Sequence, residues 1–522
     1  MPQRNGINQV IAGRVRQNEV MMPNKLCVIL PLLAISLVAF APAGPIVASP
    51  SASASRPLAV GSEKQLFIDE MFFESSTNVV LKVHPPRKTG EKNLERERPW
   101  ESATLNWFNV LQEADKYRMW YECYDIEGWP TTDDTSFCYA ESNDGVHWTR
   151  PDLGLFTYKG STNNNILFRL IGPPTAHSRV HGTGLFVDPT APSASRYKVV
   201  SQGLFEQGYD APYRIAGMYS ADGLHWTRYP KPICLVFADS QYSGFYDEQL
   251  KKYVIYGRVA GRGRALGRSQ SDDFSQFQPL SFVLQADNQD PPDSDLYNSA
   301  AMKYPHGANV YLMFISLFQH TTETLDIRLA VSRDGIRWTL PERVPFIPLG
   351  RSGEFDSRSI YMGQGMIRKG DELWQYYGGS SLNHKEGELE NLVKPGGGRI
   401  YSRVVNRVDG FVSADAGLAG GSFVTPPLTF AGNILKLNVA VHQGGSVRVA
   451  LLDEQGVPVK EHTLEDCLPI TADNVDLLVH WKKGAAVSSR AGQPTKMCVE
   501  MKDASLYAFH FTVGYAGKGR DH

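Results

Sequence analysis

Acidic and aromatic side chains recur at equivalent places along this sequence, each just before or within a strand-like run. They are Glu101 with Trp107, Asp239 with Gln241, Asp293 and Asp295 with Tyr297, and Glu354 with Asp356. His177 and His181 hold the corresponding place before the second run. Carboxyl groups gathered in one pocket suit cleavage of a glycosidic bond, where one protonates the leaving oxygen and another acts as nucleophile or activates water. Crowding raises the pKa of one partner and keeps it protonated near neutral pH. Flat rings such as Trp107 and Tyr297 suit sugar faces. The catalytic candidates are therefore Asp239, Asp295, Asp356 and Glu101, with roles left open among them. His181, Tyr297, Trp107 and Gln241 are the substrate-binding candidates. The competing reading is that these acids cap turns, as Asp beside Ser or Gly commonly does.

Positioning such groups together requires a fold that brings distant segments to one place, and the sequence repeats itself in a way that would do so. Alternating apolar patterns opened by an aromatic residue or Leu occur at 117–121, 197–200, 253–256, 311–314 and 373–377, each after a turn signal. After each comes a second signature, clearest as Ser142 to Trp148, Ser220 to Trp226 and Ser332 to Trp338, with the form S-x-D-G-x-x-W. Two degenerate copies follow the same order, at 271–277 with Phe for Trp, and at Asp409-Gly410-Phe411. An Asp-Gly turn uses positive φ, and the aromatic residue beyond it can pack between neighbouring sheets. Five units of three or four short strands, with almost no helical periodicity, predict an all-β fold: a five-bladed β-propeller over 58–415. A solenoid or tandem sandwiches fit less well, because each unit is too small to close its own core. Beyond it, 416–522 reads as a β-sandwich domain.

Composition narrows the function. A formal charge of -2 leaves no global positive field for a nucleic-acid backbone or an anionic membrane surface. Lys25 followed by an apolar run at 26–41 and Ala41-Pro42-Ala43 predicts a secretory signal within 1–43, with a Ser/Ala/Pro linker at 44–57. That makes the expected location secreted or periplasmic, without a membrane partner after cleavage. Of six cysteines, five lie beyond the signal, and Cys123 with Cys138 and Cys467 with Cys498 are the local candidates for disulfides. Gly261-Arg-Gly-Arg-Ala-Leu-Gly267 lacks dinucleotide-fingerprint spacing and reads as a loop; Arg258, Arg262, Arg264 and Arg268 could instead meet an anionic sugar. No H-E-x-x-H, G-x-S-x-G or Walker-type motif occurs. No cofactor is expected; an axial Ca²⁺ is left open, since the sequence names no coordination set.

The repeated hairpin with Ser142-Asn-Asp-Gly-Val-His-Trp148 and the all-β tail resemble the five-bladed propeller glycoside hydrolases of the invertase, levansucrase and arabinanase type. Leu66-Phe-Ile-Asp-Glu70, Asp295-Leu-Tyr-Asn298 and Asp503-Ala-Ser-Leu-Tyr507 look most like secreted bacterial relatives of that group. The resemblance implies a funnel with a first-blade carboxylate as nucleophile or base, a second stabilising the transition state and a third as general acid. The invertase-type W-M-N-D-P-N-G and R-D-P motifs are absent, Glu122-Cys123 falls in the first unit rather than the third, and His181 stands where a carboxylate is expected. The expected function is a glycoside hydrolase on an oligo- or polysaccharide. The alternatives are a non-catalytic carbohydrate-binding propeller and a glycoside phosphorylase.

Overall fold

The computed structural model describes residues 56–127, 135–169, 180–205, 213–384, 389–392, 394 and 397–515. The expected signal, nearly all of the 44–57 linker, and His177 lie outside them. Strand runs through the described residues, interrupted by a few 3-10 turns and one helical turn at Leu389–Leu392, so the class is all-β.

Three sheets are four-stranded antiparallel sets in chain order. The first holds Thr104–Glu113, Lys116–Tyr124, Ser136–Ser142 and Ile166–Arg169; the second holds His181–Val187, Tyr197–Leu204, Tyr213–Ser220 and Trp226–Arg228. The third holds Ser243–Asp247, Lys252–Gly261, Gly263–Ser271 and Ser281–Gln285. A nine-stranded sheet contains two further sets, one spanning 294–332 and one spanning 359–407, joined by a single pair between Leu325 and Ser359. Its edge strand is Arg87–Lys88, so a segment from early in the chain completes the last set.

The middle strands are apolar on both faces because both are covered. In Tyr311–Gln319, Tyr311, Met313, Ile315 and Leu317 enter one core cluster, while Leu312 and Phe314 enter another. Lys116–Tyr124 divides likewise, with Tyr117, Met119, Tyr121 and Cys123 on one side and Trp120 on the other. Period-two alternation therefore distributes one strand between two neighbouring sheets.

The S-x-D-G-x-x-W turns tie the sets together. Ser220 Oγ accepts from Gly223 N at 2.9 Å, and Asp222 Oδ1 accepts from Leu224 and His225 N at 2.8 and 2.9 Å. Those backbone donors hold the Asp222 carboxyl below the ordinary carboxylate range, although burial opposes them. Gly223 has φ +78°, and a Cβ there would lie 2.7 Å from the Trp120 ring of the first set. Its carbonyl accepts from Trp120 Nε1 at 2.6 Å. Gly335 O accepts in the same way from Tyr256 in the third set, and Gly145 O from Tyr376 in the last.

First strands of successive sets also meet. Leu185 N donates to Asn109 Oδ1 at 2.8 Å, Tyr242 N to Gly182 O at 2.8 Å, and Ser243 Oγ lies 3.1 Å from Ser299 Oγ. Val110 N donates to Gln364 O and Gln364 N to Phe108 O, at 2.8 and 3.0 Å, which joins the last set back to the first.

The remaining sheet has ten strands and draws on both ends of the described chain. Leu58–Gly61, Gln65–Leu66, Ser75–Thr77 and Val80–Val83 pair among strands of 412–512, so residues 58–83 belong with the tail rather than with the first repeated unit. The physical reason is aromatic burial: Phe67 and Phe72 pack on Phe423 and Phe509. The five described cysteines are free; Cys123 and Cys138 are buried with their sulfurs 3.6 Å apart. Among the described residues no helix is long and apolar enough to cross a membrane.

Candidate active site

A cavity of about 590 Å³ opens at the inner strands, and Asp239, His181, Trp107 and Tyr297 all line it. Asp239 sits on the short segment leading into the third set. That segment is pinned where Tyr242 OH accepts from Ala238 N and donates to Ala238 O, at 2.9 and 2.8 Å, and where Ser240 Oγ donates to Tyr297 O at 2.8 Å. His181 opens the inner strand of the second set. The strands can touch because Gly182, at φ +70°, has no side chain; a Cβ there would lie 2.1 Å from Ser240 O. The His181-Gly-Thr-Gly184 motif thus brings the imidazole Nε2 to 3.0 Å from Asp239 Oδ1.

On its other nitrogen, His181 Nδ1 is 3.1 Å from Tyr124 OH and 3.3 Å from Glu122 Oε2. Glu122 is fully buried, and its other oxygen accepts from Thr183 N at 2.9 Å. His181 therefore stands between a buried carboxylate and one whose side chain is 59% exposed in the cavity. Such a chain can orient Asp239 and exchange a proton with it.

Aromatic rings form the wall next to His181. Trp107 stacks on Tyr297 with centroids 6.4 Å apart, and Tyr361 meets Trp107 edge-on at 5.4 Å. The Arg399 guanidinium lies 3.9 Å from the Tyr361 ring centre and 5.1 Å from that of Trp107, and donates to Asn106 Oδ1. His384 Nδ1 is 2.7 Å from Tyr361 OH, and its ring packs on Tyr297 at 4.6 Å. Burial, followed by Arg399, Arg264 and Arg258, lowers the His384 pKa to about 4, leaving a neutral imidazole at pH 7. The Tyr297 hydroxyl is pushed up to about 12 by burial first, then by Tyr361 and Asp239. At the rim, Tyr213 and the exposed Phe237 pack at 5.6 Å.

The other four candidates lie outside the cavity lining, and their partners explain why. Glu101 is fully buried and accepts from Tyr121 OH at 2.6 Å, Arg150 Nε at 2.7 Å and the Glu97 and Arg98 backbone N–H groups. Asp356 accepts from Lys88 and Tyr377 OH, both at 2.7 Å. Asp295 Oδ2 accepts from Arg264 Nη1 at 3.1 Å and lies 2.9 Å from His320 Nε2. Gln241 donates to Phe108 O and Thr183 O and so stitches three inner strands together. Asp293 accepts from the distant Thr321 Oγ1, and Glu354 from Arg351 N, as a turn-capping acid does. The 261–267 segment is not a loop: a tight hairpin turn at 261–263, with Gly261 opposite Gly263, leads straight into the strand Gly263–Ser271. Arg258 and Arg264 from that hairpin reach the Tyr297 ring, at 5.4 and 5.2 Å.

Sequence reasoning missed Arg399, Tyr361, His384 and Glu122. The available signal for Glu122 was its spacing of two from Tyr124, which puts both on one strand face toward His181. Among the described residues no group of three or more His, Cys, Asp or Glu side chains converges as a metal site.

The sequence matches no protein-family model and no curated protein. In structure the chain is similar to a glycoside hydrolase at TM-score 0.43 and 14% identity, covering 62% of this chain and 92% of that one. It is similar to an N-acetylgalactosamine deacetylase from F. plautii, in complex with blood group B trisaccharide, at TM-score 0.42 and 14% identity, covering 63% and 95%. A glycosyl hydrolase from Bacteroides ovatus gives TM-score 0.40 and 14% identity, covering 66% and 93%. Likenesses of this size leave the reaction to be argued from the cavity itself.

Proposed function

We propose that the five strand sets are blades of a β-propeller with a β-sandwich-like tail, and that the chain is an exported glycoside hydrolase acting on an oligo- or polysaccharide. Inner-strand hydrogen bonds between four pairs of sets, with the Leu325–Ser359 pair joining the fourth to the fifth, support the propeller; the residue pattern of 1–43 supports export. The observation that carries the activity is Asp239: a carboxylate open to an aromatic-walled cavity yet held at 3.0 Å by a histidine backed by a buried glutamate. In this reading a sugar ring stacks against the Trp107 and Tyr297 wall. Asp239 takes the proton of the attacking water or gives one to the leaving oxygen, and His181 holds its orientation and exchanges the proton.

The test is a polysaccharide panel scored for released sugar, with and without chelator, using wild type and Asp239→Asn. Turnover by wild type that falls roughly 10³-fold or more in the variant is expected; equal turnover would overturn the assignment. One observation favours a second reading, a non-catalytic sugar-binding propeller: among the described residues, Asp239 is the sole carboxylate lining the cavity. Glycan binding with no product after long incubation would decide for it.

A further inference from the structure

The cavity has two poles. Asp239, His181 and Glu122 form one. At the other, Arg399 lines the cavity against Trp107 and Tyr361, while Arg258, outside the lining, lies over the Tyr297 ring; among the described residues neither has a carboxylate within ion-pair distance. This contrasts with Arg264 on the same hairpin as Arg258, which is neutralised by Asp295 at 3.1 Å. Trp107 lies between the poles, its ring centre 6.5 Å from that of His181 and 5.1 Å from the Arg399 guanidinium.

We infer that the substrate carries an oxyanion, a uronate carboxylate or a sulfate ester, which Arg399 receives, with Arg258 adding to the positive field, while the reacting bond lies toward Asp239. This rests on the carbohydrate reading above and adds the class of sugar. A neutral glycan would leave the partly desolvated Arg399 cation against ring faces, whereas an oxyanion meets the guanidinium fork with paired charge-assisted hydrogen bonds. The ring contacts themselves fix the forks in place, since a stacked guanidinium keeps its edge N–H groups free to donate. Arg399 already uses Nη1 on Asn106, a neutral acceptor that orients the group without cancelling its charge. The His384 imidazole beside Tyr361 is kept neutral first by burial and then by Arg399, Arg264 and Arg258.

The test measures binding of uronate-bearing and sulfated oligosaccharides beside their carboxyl-reduced and desulfated counterparts, on one array and then by calorimetry. The wild-type protein should favour the acidic member of at least one pair by 10-fold or more, and which arm responds identifies the oxyanion. Arg399→Gln should weaken that member roughly 10- to 100-fold, the range of a lost charge-assisted pair, and leave its neutral counterpart little changed. Arg258→Gln should act in the same direction. Neutral members binding as tightly as acidic ones, or Arg399→Gln weakening both members equally, would overturn the inference and leave the carbohydrate reading standing. Failure of every glycan, acidic and neutral, would bring down that reading and this inference with it. The wild-type comparison needs no variant, so a poorly folded Arg399→Gln does not remove the test.

Discussion

Arg150 and Arg399 are both partly buried guanidinium groups, yet their surroundings follow opposite rules. Arg150 lies 2.7 Å from Glu101 and 3.0 Å from Glu97, and Tyr121 completes the coordination of the Glu101 carboxylate. Arg399 has ring faces and one neutral amide. The same contrast separates the acids: Glu101 has every oxygen taken, whereas the Asp239 side chain is 59% exposed. A charge buried among its partners holds a fold together, and one that faces a cavity is placed to meet something that arrives from solvent. The distinction between an acid that supports and an acid that acts therefore lies in whether it faces the cavity.

That comparison breaks most visibly with a pair of variants. Asp239→Asn should abolish turnover on any substrate the polysaccharide panel identifies, with the thermal midpoint nearly unchanged. Glu101→Ala should do the reverse, costing about 3–5 kcal/mol of stability by leaving Arg150 buried beside a lost partner, while activity per folded molecule persists. Denaturant unfolding and initial rates on the same preparations check both. A catalytic defect in Glu101→Ala at full stability would erase the distinction.

A finer break is Gly182→Ala. Its Cβ would sit 2.1 Å from Ser240 O at φ +70°, on the contact that brings His181 to Asp239. The chain must shift there, so kcat should fall at least 10-fold with KM less affected, since the ring wall on Trp107 and Tyr297 is untouched. Unchanged kcat would mean that the separation of His181 and Asp239 does not govern the reaction.

How far the sequence could lead follows from these same residues. Period-two alternation and the repeated S-x-D-G-x-x-W turn reveal the all-β class, because a strand such as Tyr311–Gln319 must satisfy two cores at once. They also locate Asp239, His181, Trp107 and Tyr297 at the entries of inner strands, and all four meet in one cavity. Glu101, Asp295, Asp356 and Gln241 satisfy the same positional rule and fail for a reason no spacing encodes: Arg150, Arg264, Lys88 and the Thr183 carbonyl reach them from distant segments. Arg399 is invisible for the converse reason. It precedes Ile400–Arg407, a strand away from the inner edge, and gains its meaning only when Tyr361 and Trp107 are folded against it. The propeller bounds of 58–415 include the aromatic segment at 67–72 because strand patterning specifies a face to bury but not its partner, and Phe423 and Phe509, which supply it, lie far along the chain.

The smallest effect tests the positive pole directly. His384 has a pKa near 4, lowered first by burial and then by Arg399, Arg264 and Arg258, against its ordinary 6.5. Because the folded value lies below the unfolded one, the unfolded chain takes up the proton first as pH falls. Stability attributable to this group is therefore complete above about 6.5 and is lost progressively toward 4. In Arg399→Gln one cation is gone but the burial remains, so the His384 value should rise and still stay below 6.5. Carbon-13 labelling of the histidine rings, with His384→Gln to assign the signal, would follow this by NMR titration. An unchanged value would show that the Arg399 charge is already cancelled at the ring, and the contrast with Arg150 would then lose its electrostatic basis. A rise in the wild-type value on binding an acidic oligosaccharide but not its neutral counterpart would sharpen it, since an oxyanion at that pole offsets the same field.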